Sequence, residues 1–157
     1  MRVAEHLRFL VLAAQREGNR ALAASLAPLG LTPSQAEVVR VLADHGPLSL
    51  GELGALLVCE SGTNPSRLVD RVVSSGLVQR RTSASDKRRL ELSLTETGRA
   101  ADDAIRSIED AMYADIDGAL AGADVSAVVA VLSVLVEGSS AGEAVRARAL
   151  EAFEHRD

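Results

Sequence analysis

A single cysteine, Cys59, excludes an internal disulfide and suits a reducing, cytoplasmic setting. Tryptophan is absent, and aromatics make up only 2% of the chain. Any core must therefore be built from aliphatic side chains and alanine. Alanine and leucine are among the strongest helix formers, so this shortage already favours helices. Long apolar runs are missing too. Val125 to Val136 is the most apolar stretch, well short of the roughly 18–20 residues that a membrane span needs. Met1 to Leu12 carries charges at Arg2, Glu5, His6 and Arg8 and lacks the apolar run of a secretory signal. No phosphate loop, nucleophile motif or paired catalytic carboxylates can be found, so an enzyme is not expected. His6, His45 and His155 stand alone, with no third ligand at a convincing spacing, so neither metal nor cofactor is expected. Cys59 has Glu60 beside it, which disfavours a thiolate and points to packing. Tyr113, the sole tyrosine, is read as a packing residue on a helix, with pocket lining as the other choice.

What is present is an uneven distribution of charge. The 157 residues, 47% of them apolar, suit one domain with a net charge of −5. Between Thr63 and Glu91, seven basic residues against three acids give +4, which leaves −9 on the rest. Asp102 to Asp124 holds seven acids and one base. A basic module on an acidic body is compatible with nucleic-acid binding, because only the contacting surface must be positive.

The pattern along the chain is helical with one break. Arg2 to about Leu26 has Val3, Leu7, Leu10 and Ala14 at helical spacing, and Pro28-Leu29-Gly30 ends it. Thr32-Pro33-Ser34-Gln35 starts a second helix as a capping box with proline at its first position, and Gly46-Pro47 stops it. Ser49 and Glu52 form another capping box, flanked by a Leu48/Leu53 staple, for a short helix ending near Leu57. Val58 to Thr63 is a turn. Asn64-Pro65 opens the next helix, which Gly76 closes. Leu77 to Arg81 and Arg89 to Leu94 are expected as strands around a charged loop. Thr95 opens a long helix to about Leu120. Val125 to Val136 is expected as a buried helix, and Ser140-Ala141-Gly142-Glu143 as the capping box of a last helix to about Phe153.

Two helices in tandem followed by a charged hairpin describe a winged helix-turn-helix. Leu68, Val69, Val72 and Val73 form the buried face of the second helix, and Thr63, Arg67, Arg71 and Ser74 lie on another. Asn64 and Ser66 sit in its first turn, where a helix entering the major groove touches base edges. Arginine can bond guanine with two hydrogen bonds, and asparagine or serine can bond bases or phosphates. The hairpin supplies Asp86-Lys87-Arg88-Arg89, with Asp86 expected to hold Arg88 by an ion pair for a narrow minor groove. Ser49 and Arg80 complete the set of candidate DNA-contacting residues. The blander reading of Arg67 and Arg71 is a solvated face with Asp70 as ion-pair partner.

Leu31-Thr32-Pro33-Ser34-Gln35, Leu48 to Leu53, Ser66 to Arg71 with Gly76-Leu77-Val78, Asp86-Lys87-Arg88, and Leu94-Thr95 with Gly98 together resemble the MarR family over about residues 7 to 136. That resemblance implies a mainly α fold with a small β-hairpin wing. It implies a winged helix-turn-helix part at 33–98 and a helical dimerisation part at 1–30 and 99–157. It further implies a homodimeric regulator of transcription, a repressor, on double-stranded DNA with a pseudo-palindromic operator. Small-molecule effector pockets would lie between the two parts, and no membrane is involved. Pro65, Gly62 and the helix after Ser140 depart from the family pattern. The competing class is a winged helix that binds another protein and not DNA.

Overall fold

The computed structural model describes residues 1–58, 64–83 and 86–154, the last five of these by backbone alone. Helix α1 (Val3–Leu26) runs into a 3-10 turn at Ala27–Leu29, followed by α2 (Pro33–His45), α3 (Leu50–Leu56) and α4 (Pro65–Ser74). A hairpin of β1 (Val78–Thr82) and β2 (Leu90–Leu94) leads to α5 (Glu96–Ala119), α6 (Val125–Leu135) and α7 (Ser140–Glu154). The mainly helical winged fold expected from the sequence is the one observed.

Local chemistry fixes most of these boundaries. The Thr32 hydroxyl accepts from the Gln35 amide at 3.3 Å, and the Thr32 amide donates to Gln35 Oε1 at 2.9 Å. Ser49 and Glu52 make the same reciprocal pair at the start of α3, with distances of 3.3 and 2.8 Å. Both satisfy N–H groups that a helix start leaves without partners. Asn64 caps α4 by accepting from Ser66 N at 2.9 Å. At α7 the expectation is off by one residue. Ser139, not Ser140, is the capping side chain, and its hydroxyl accepts from Gly142 N at 3.1 Å.

Helix α2 is the hub of the core, burying Val38, Val39, Val41 and Leu42. Leu53 of α3, Leu68, Val69 and Val72 of α4, Val78 and Leu92 of the hairpin and Ile105 of α5 close around it. The hairpin is antiparallel, with Val78 opposite Leu94, Arg80 opposite Leu92 and Thr82 opposite Leu90. Leu48 adds a one-residue bridge to Leu92, with backbone bonds of 3.1 and 2.7 Å. The wing is thereby tied to the residue just before α3.

A partly buried ion cluster orients α5 on α2. Arg40 donates to Asp102 at 3.0 Å and to Glu109 at 2.9 Å, and Arg106 bridges Asp102 and Asp44 at 2.8 and 2.7 Å. Burial alone would disfavour the Arg40 charge. The bonds to Asp102 and Glu109, with Asp44 nearby, more than offset this and hold the guanidinium above its ordinary value. Such a cluster adds directional specificity more than net stability.

The helix expected over Val125–Val136 forms, but not as a buried one. None of α6 is buried within the chain, and Val128, Val129, Val134 and Leu135 are all exposed. The described core residues gather around α2 and include none from α6.

Gly98 marks the tightest contact between wing and α5. A Cβ there would stand 2.0 Å from the Leu77 carbonyl oxygen and 3.3 Å from Leu94 Cδ2. The same Leu77 oxygen accepts from the Thr95 amide at 3.0 Å, so it cannot retreat freely. Gly98→Ala is expected to cost about 3 kcal/mol, at the upper end of overpacking substitutions, because the clash is with backbone. Urea unfolding would register this as a lower midpoint at constant slope, and an unchanged midpoint would refute the close approach.

Candidate nucleic-acid interface

Helix α4 has two faces, as its sequence demands. Leu68, Val69 and Val72 are buried, while Arg67, Asp70, Arg71 and Ser74 are exposed along the opposite side. Asn64 is exposed at its start, and Ser66 is half-buried in its first turn. Thr63, also expected at this surface, lies outside the described residues, as do Gly62, Cys59 and His155.

The basic residues divide into two groups. Arg80 donates to Asp70 at 2.5 Å, which ties β1 to the exposed face of α4. Asp70 thus finds its described ion-pair partner across the strand and not in Arg67 or Arg71 on its own helix. Arg89 pairs with Glu52, the same carboxylate that caps α3. The Arg89 guanidinium, with the Ser49 amide and hydroxyl, holds the Glu52 carboxyl down at about 2. A depressed carboxyl contributes while it is ionised. The clamp is therefore complete above the ordinary value of 4.5 and is lost only as pH falls toward 2. Ser49, placed among the DNA contacts from sequence, is half-buried and engaged in this cap. By contrast, Arg67, Arg71, Lys87 and Arg88 are exposed and make no ion pair among the described residues.

The wing tip differs from its expected form in one respect. Asp86 does not hold the Arg88 guanidinium. Its Oδ1 accepts from the Arg88 backbone amide at 2.9 Å, and its carbonyl accepts from Arg89 N at 2.9 Å. Aspartate is suited to this because its short side chain mimics a backbone turn. Asp86 therefore shapes the turn that presents Lys87 and Arg88. Asp86→Ala is expected to weaken duplex binding by ~1 kcal/mol, the scale of one such hydrogen bond, although it removes a negative charge. Fluorescence anisotropy at fixed salt checks the sign, since tighter binding would mean that Asp86 only repels phosphate.

Sequence reasoning missed the long-range carboxylates. Glu37 is 7% exposed in the middle of the apolar face of α2, and its Oε1 accepts from Val58 N at 2.9 Å and from Arg148 at 2.8 Å. A glutamate inside the run Ala36 to Leu42 was the available signal. Beside this group is a cavity of about 370 Å³ lined by Leu22, Pro33, Glu109, Met112, Tyr113 and Val145, among others. Tyr113 is half-exposed at its edge. Its hydroxyl titrates above the ordinary value, through burial first and the nearby Glu109 second. Among the described residues there is no cluster of three or more metal-ligating side chains, and no helix is long and apolar enough to cross a membrane.

Two tandem helices of which the second bares a row of arginines, followed by a cationic hairpin, define a winged helix-turn-helix protein. The sequence pattern described as MarR family matches residues 29–89, the stretch that contains α2, α3, α4 and the wing tip. The chain is 32% identical over 98 residues to the organic hydroperoxide resistance transcriptional regulator of Bacillus subtilis (strain 168). That match covers 62% of this chain and 66% of the relative. It is 38% identical over 93 residues to the HTH-type transcriptional regulator TtmR of Methylorubrum extorquens (strain PA1), covering 59% of this chain and 47% of the relative. The chain thus spans between about half and two thirds of the length of these relatives. Its fold is similar to that of a mutant MarR from E. coli complexed with operator DNA, with TM-score 0.72 and 24% identity, over 83% of this chain and 93% of that one. The chain belongs to the MarR family. The relatives that share its sequence are transcriptional regulators, not enzymes.

Proposed function

We propose that this protein is a cytoplasmic, homodimeric repressor that binds a pseudo-palindromic operator in double-stranded DNA. The observation that carries this reading is the set of exposed cations, Arg67 and Arg71 on α4 and Lys87 and Arg88 on the wing, without ion-pair partners among the described residues. They stand on an otherwise acidic chain. Cations with no internal partner are available to phosphates and base edges. In this reading residues 33–98 form the DNA-binding part, and 1–30 with 99–157 the dimerisation part. Asn64 and Ser66 contact bases or phosphates from the first turn of α4, and Thr63 belongs with them. Arg80, Arg89 and Ser49 support the surface through Asp70 and Glu52.

The exposed apolar side chains of α6 supply the motive for a dimer. With Phe9 and Leu10 of α1, Ile116 of α5 and its C-cap Leu120, they leave more bare apolar surface than a lone soluble chain usually shows. Two-fold symmetry would set two α4 helices in successive major grooves, about 10–11 base pairs apart. The cavity between α1, α2, α5 and α7 is the place for a small-molecule effector. Selection of bound duplexes from a random pool tests the whole reading. A dyad-symmetric site with strongly salt-dependent affinity is expected. Recovery of no duplex would favour a winged helix that binds protein, and a site without dyad symmetry would remove the dimeric operator.

A further inference from the structure

Helix α5 is clasped to the winged part at its start and again about two turns further on. At the start, the Thr95 hydroxyl donates to the Gly76 carbonyl at 2.7 Å, and the Thr95 amide donates to Leu77 O at 3.0 Å. Gly76 directly follows Ser75, the C-cap of α4, so this clasp sits at the exit of the helix that bears Arg67 and Arg71. The further clasp is a closed ring of alternating charge. Arg40 donates to Asp102 at 3.0 Å, and Asp102 accepts from Arg106 at 2.8 Å. Arg106 donates to Asp44 at 2.7 Å, and Asp44 returns to Arg40 at 3.4 Å. Glu109 joins Arg40 from the next turn of α5, at 2.9 Å. The order of charges matters as much as their pairing. If α5 slid by one turn along α2, Arg106 would take the place of Asp102 and face Arg40, while Asp110 would face Asp44. A slide the other way would set Asp102 against Asp44. Either slip brings like charges together, so the ring admits one register.

We infer that this ring sets the tilt of α5 against α4 and so fixes the half-site spacing that the protein accepts in its operator, with Arg40, Asp102 and Arg106 as positioning residues. The 24 residues of α5 make a rod of about 36 Å. A tilt of about 5° about its first turn moves the far end by about 3 Å, close to the rise of one base pair. Ile105 is fully buried and keeps α5 from lifting off the core, but apolar attraction has no direction and opposes tilt less. Charge-assisted bonds do have direction, and the guanidinium forks of Arg40 and Arg106 each hold more than one carboxylate at fixed angles. The Arg40 and Asp102 side chains are only 13% and 10% exposed, so salt screens their bond little. Beyond Glu109 the helix runs on to Ala119, past the exposed Ile116, into the apolar surface read above as the dimer seat. No member of the ring lies on α4 or the wing, so the ring acts on binding through α5. Its consequence for operators rests on the dimeric DNA-binding reading, whereas its hold on α5 does not.

The test follows α5 in two ways, on the full chain. Spin labels introduced through Ser74→Cys and Asp117→Cys, both at exposed positions, report the distance from the end of α4 to the far part of α5. They are placed in a Cys59→Ser background and diluted with unlabelled chains. Duplexes selected from a random pool, with and without one base pair inserted at the dyad, report spacing by fluorescence anisotropy. Wild type should give a narrow distance distribution and a large penalty for the insertion. Arg106→Gln, at a half-exposed side chain, and Asp102→Asn should each broaden the distribution and reduce the penalty about tenfold, the scale of one bond to a charged group. Arg106→Lys restores the charge but not the fork, and should fall between. Asp103→Asn removes the same charge from the same turn, outside the ring, and should behave as wild type. An equal effect of Asp103→Asn would reduce the ring to general charge and overturn the proposal. So would unchanged distances and penalty in the ring variants, whatever their urea midpoints, or a broader distribution with the penalty unaltered. If wild type selects no dyad-symmetric duplex, the functional reading fails, and the label distances alone decide whether the ring holds α5.

Discussion

If the proposed dimer is seated on α6, Val128→Asp combined with Leu135→Asp is expected to leave the protein monomeric and to abolish tight operator binding. The two residues are seven apart on one face of α6 and are 48% and 59% exposed within the chain, so neither supports the core. Their replacement should leave the helix content and the winged part intact. In a dimer interface the same positions would carry two carboxylates per protomer into apolar surroundings without partners. A loss of ~4 kcal/mol, a thousandfold in dissociation constant, is a conservative expectation. Operator affinity should fall with it, because a monomer offers one recognition helix where two act together. Sedimentation velocity at micromolar concentration, beside a circular dichroism spectrum, checks both halves. A dimer that survives both aspartates would place the interface elsewhere.

Arg67→Ala and Arg71→Ala should each cost 1–3 kcal/mol of operator binding if the side chain bonds a base edge, and relax sequence preference at one position. If the side chain holds phosphate, the loss should be similar on every duplex, and the slope of log affinity against log salt should fall by about 1. Arg80→Ala is the informative control. Arg80 is already engaged by Asp70, so its removal should weaken binding less than removal of either α4 arginine. Anisotropy titrations at several salt concentrations separate these outcomes. Equal losses for all three would mean that the surface acts only as a diffuse positive field.

Much of the fold can be read in sequence because its boundaries are set by groups three residues apart. The reciprocal pairs Thr32/Gln35 and Ser49/Glu52 are local events, and a capping box looks the same before and after folding. The same holds for the two faces of α4, which follow from helical spacing alone. Register errors enter where two candidates are adjacent, as with Ser139 and Ser140, since both are serines and only backbone geometry chooses between them. Partnerships across the chain are not legible. Glu37 and Arg148 are 111 residues apart, and Arg89 and Glu52 are 37 apart. Charge signs alone cannot say which acid meets which base. Asp86 illustrates the limit within a loop, where an ion pair and a turn bond both suit an aspartate two residues before an arginine.

Glu52 has a consequence for protein engineering. Its carboxylate closes the first turn of α3 and grips Arg89 at the loop end of the wing, while Leu48, one residue before the cap, is laced to Leu92 of β2. The hairpin is therefore no portable cassette. A chimera that imports a foreign wing without an arginine at position 89 would leave the cap with its charge unanswered. One that imports a foreign α3 without Glu52 would leave Arg89 without its carboxylate partner and the wing tied to this region by the Leu48–Leu92 bridge. Recombination between relatives should succeed only where the crossover keeps residues 48–92 together, as a single unit of exchange.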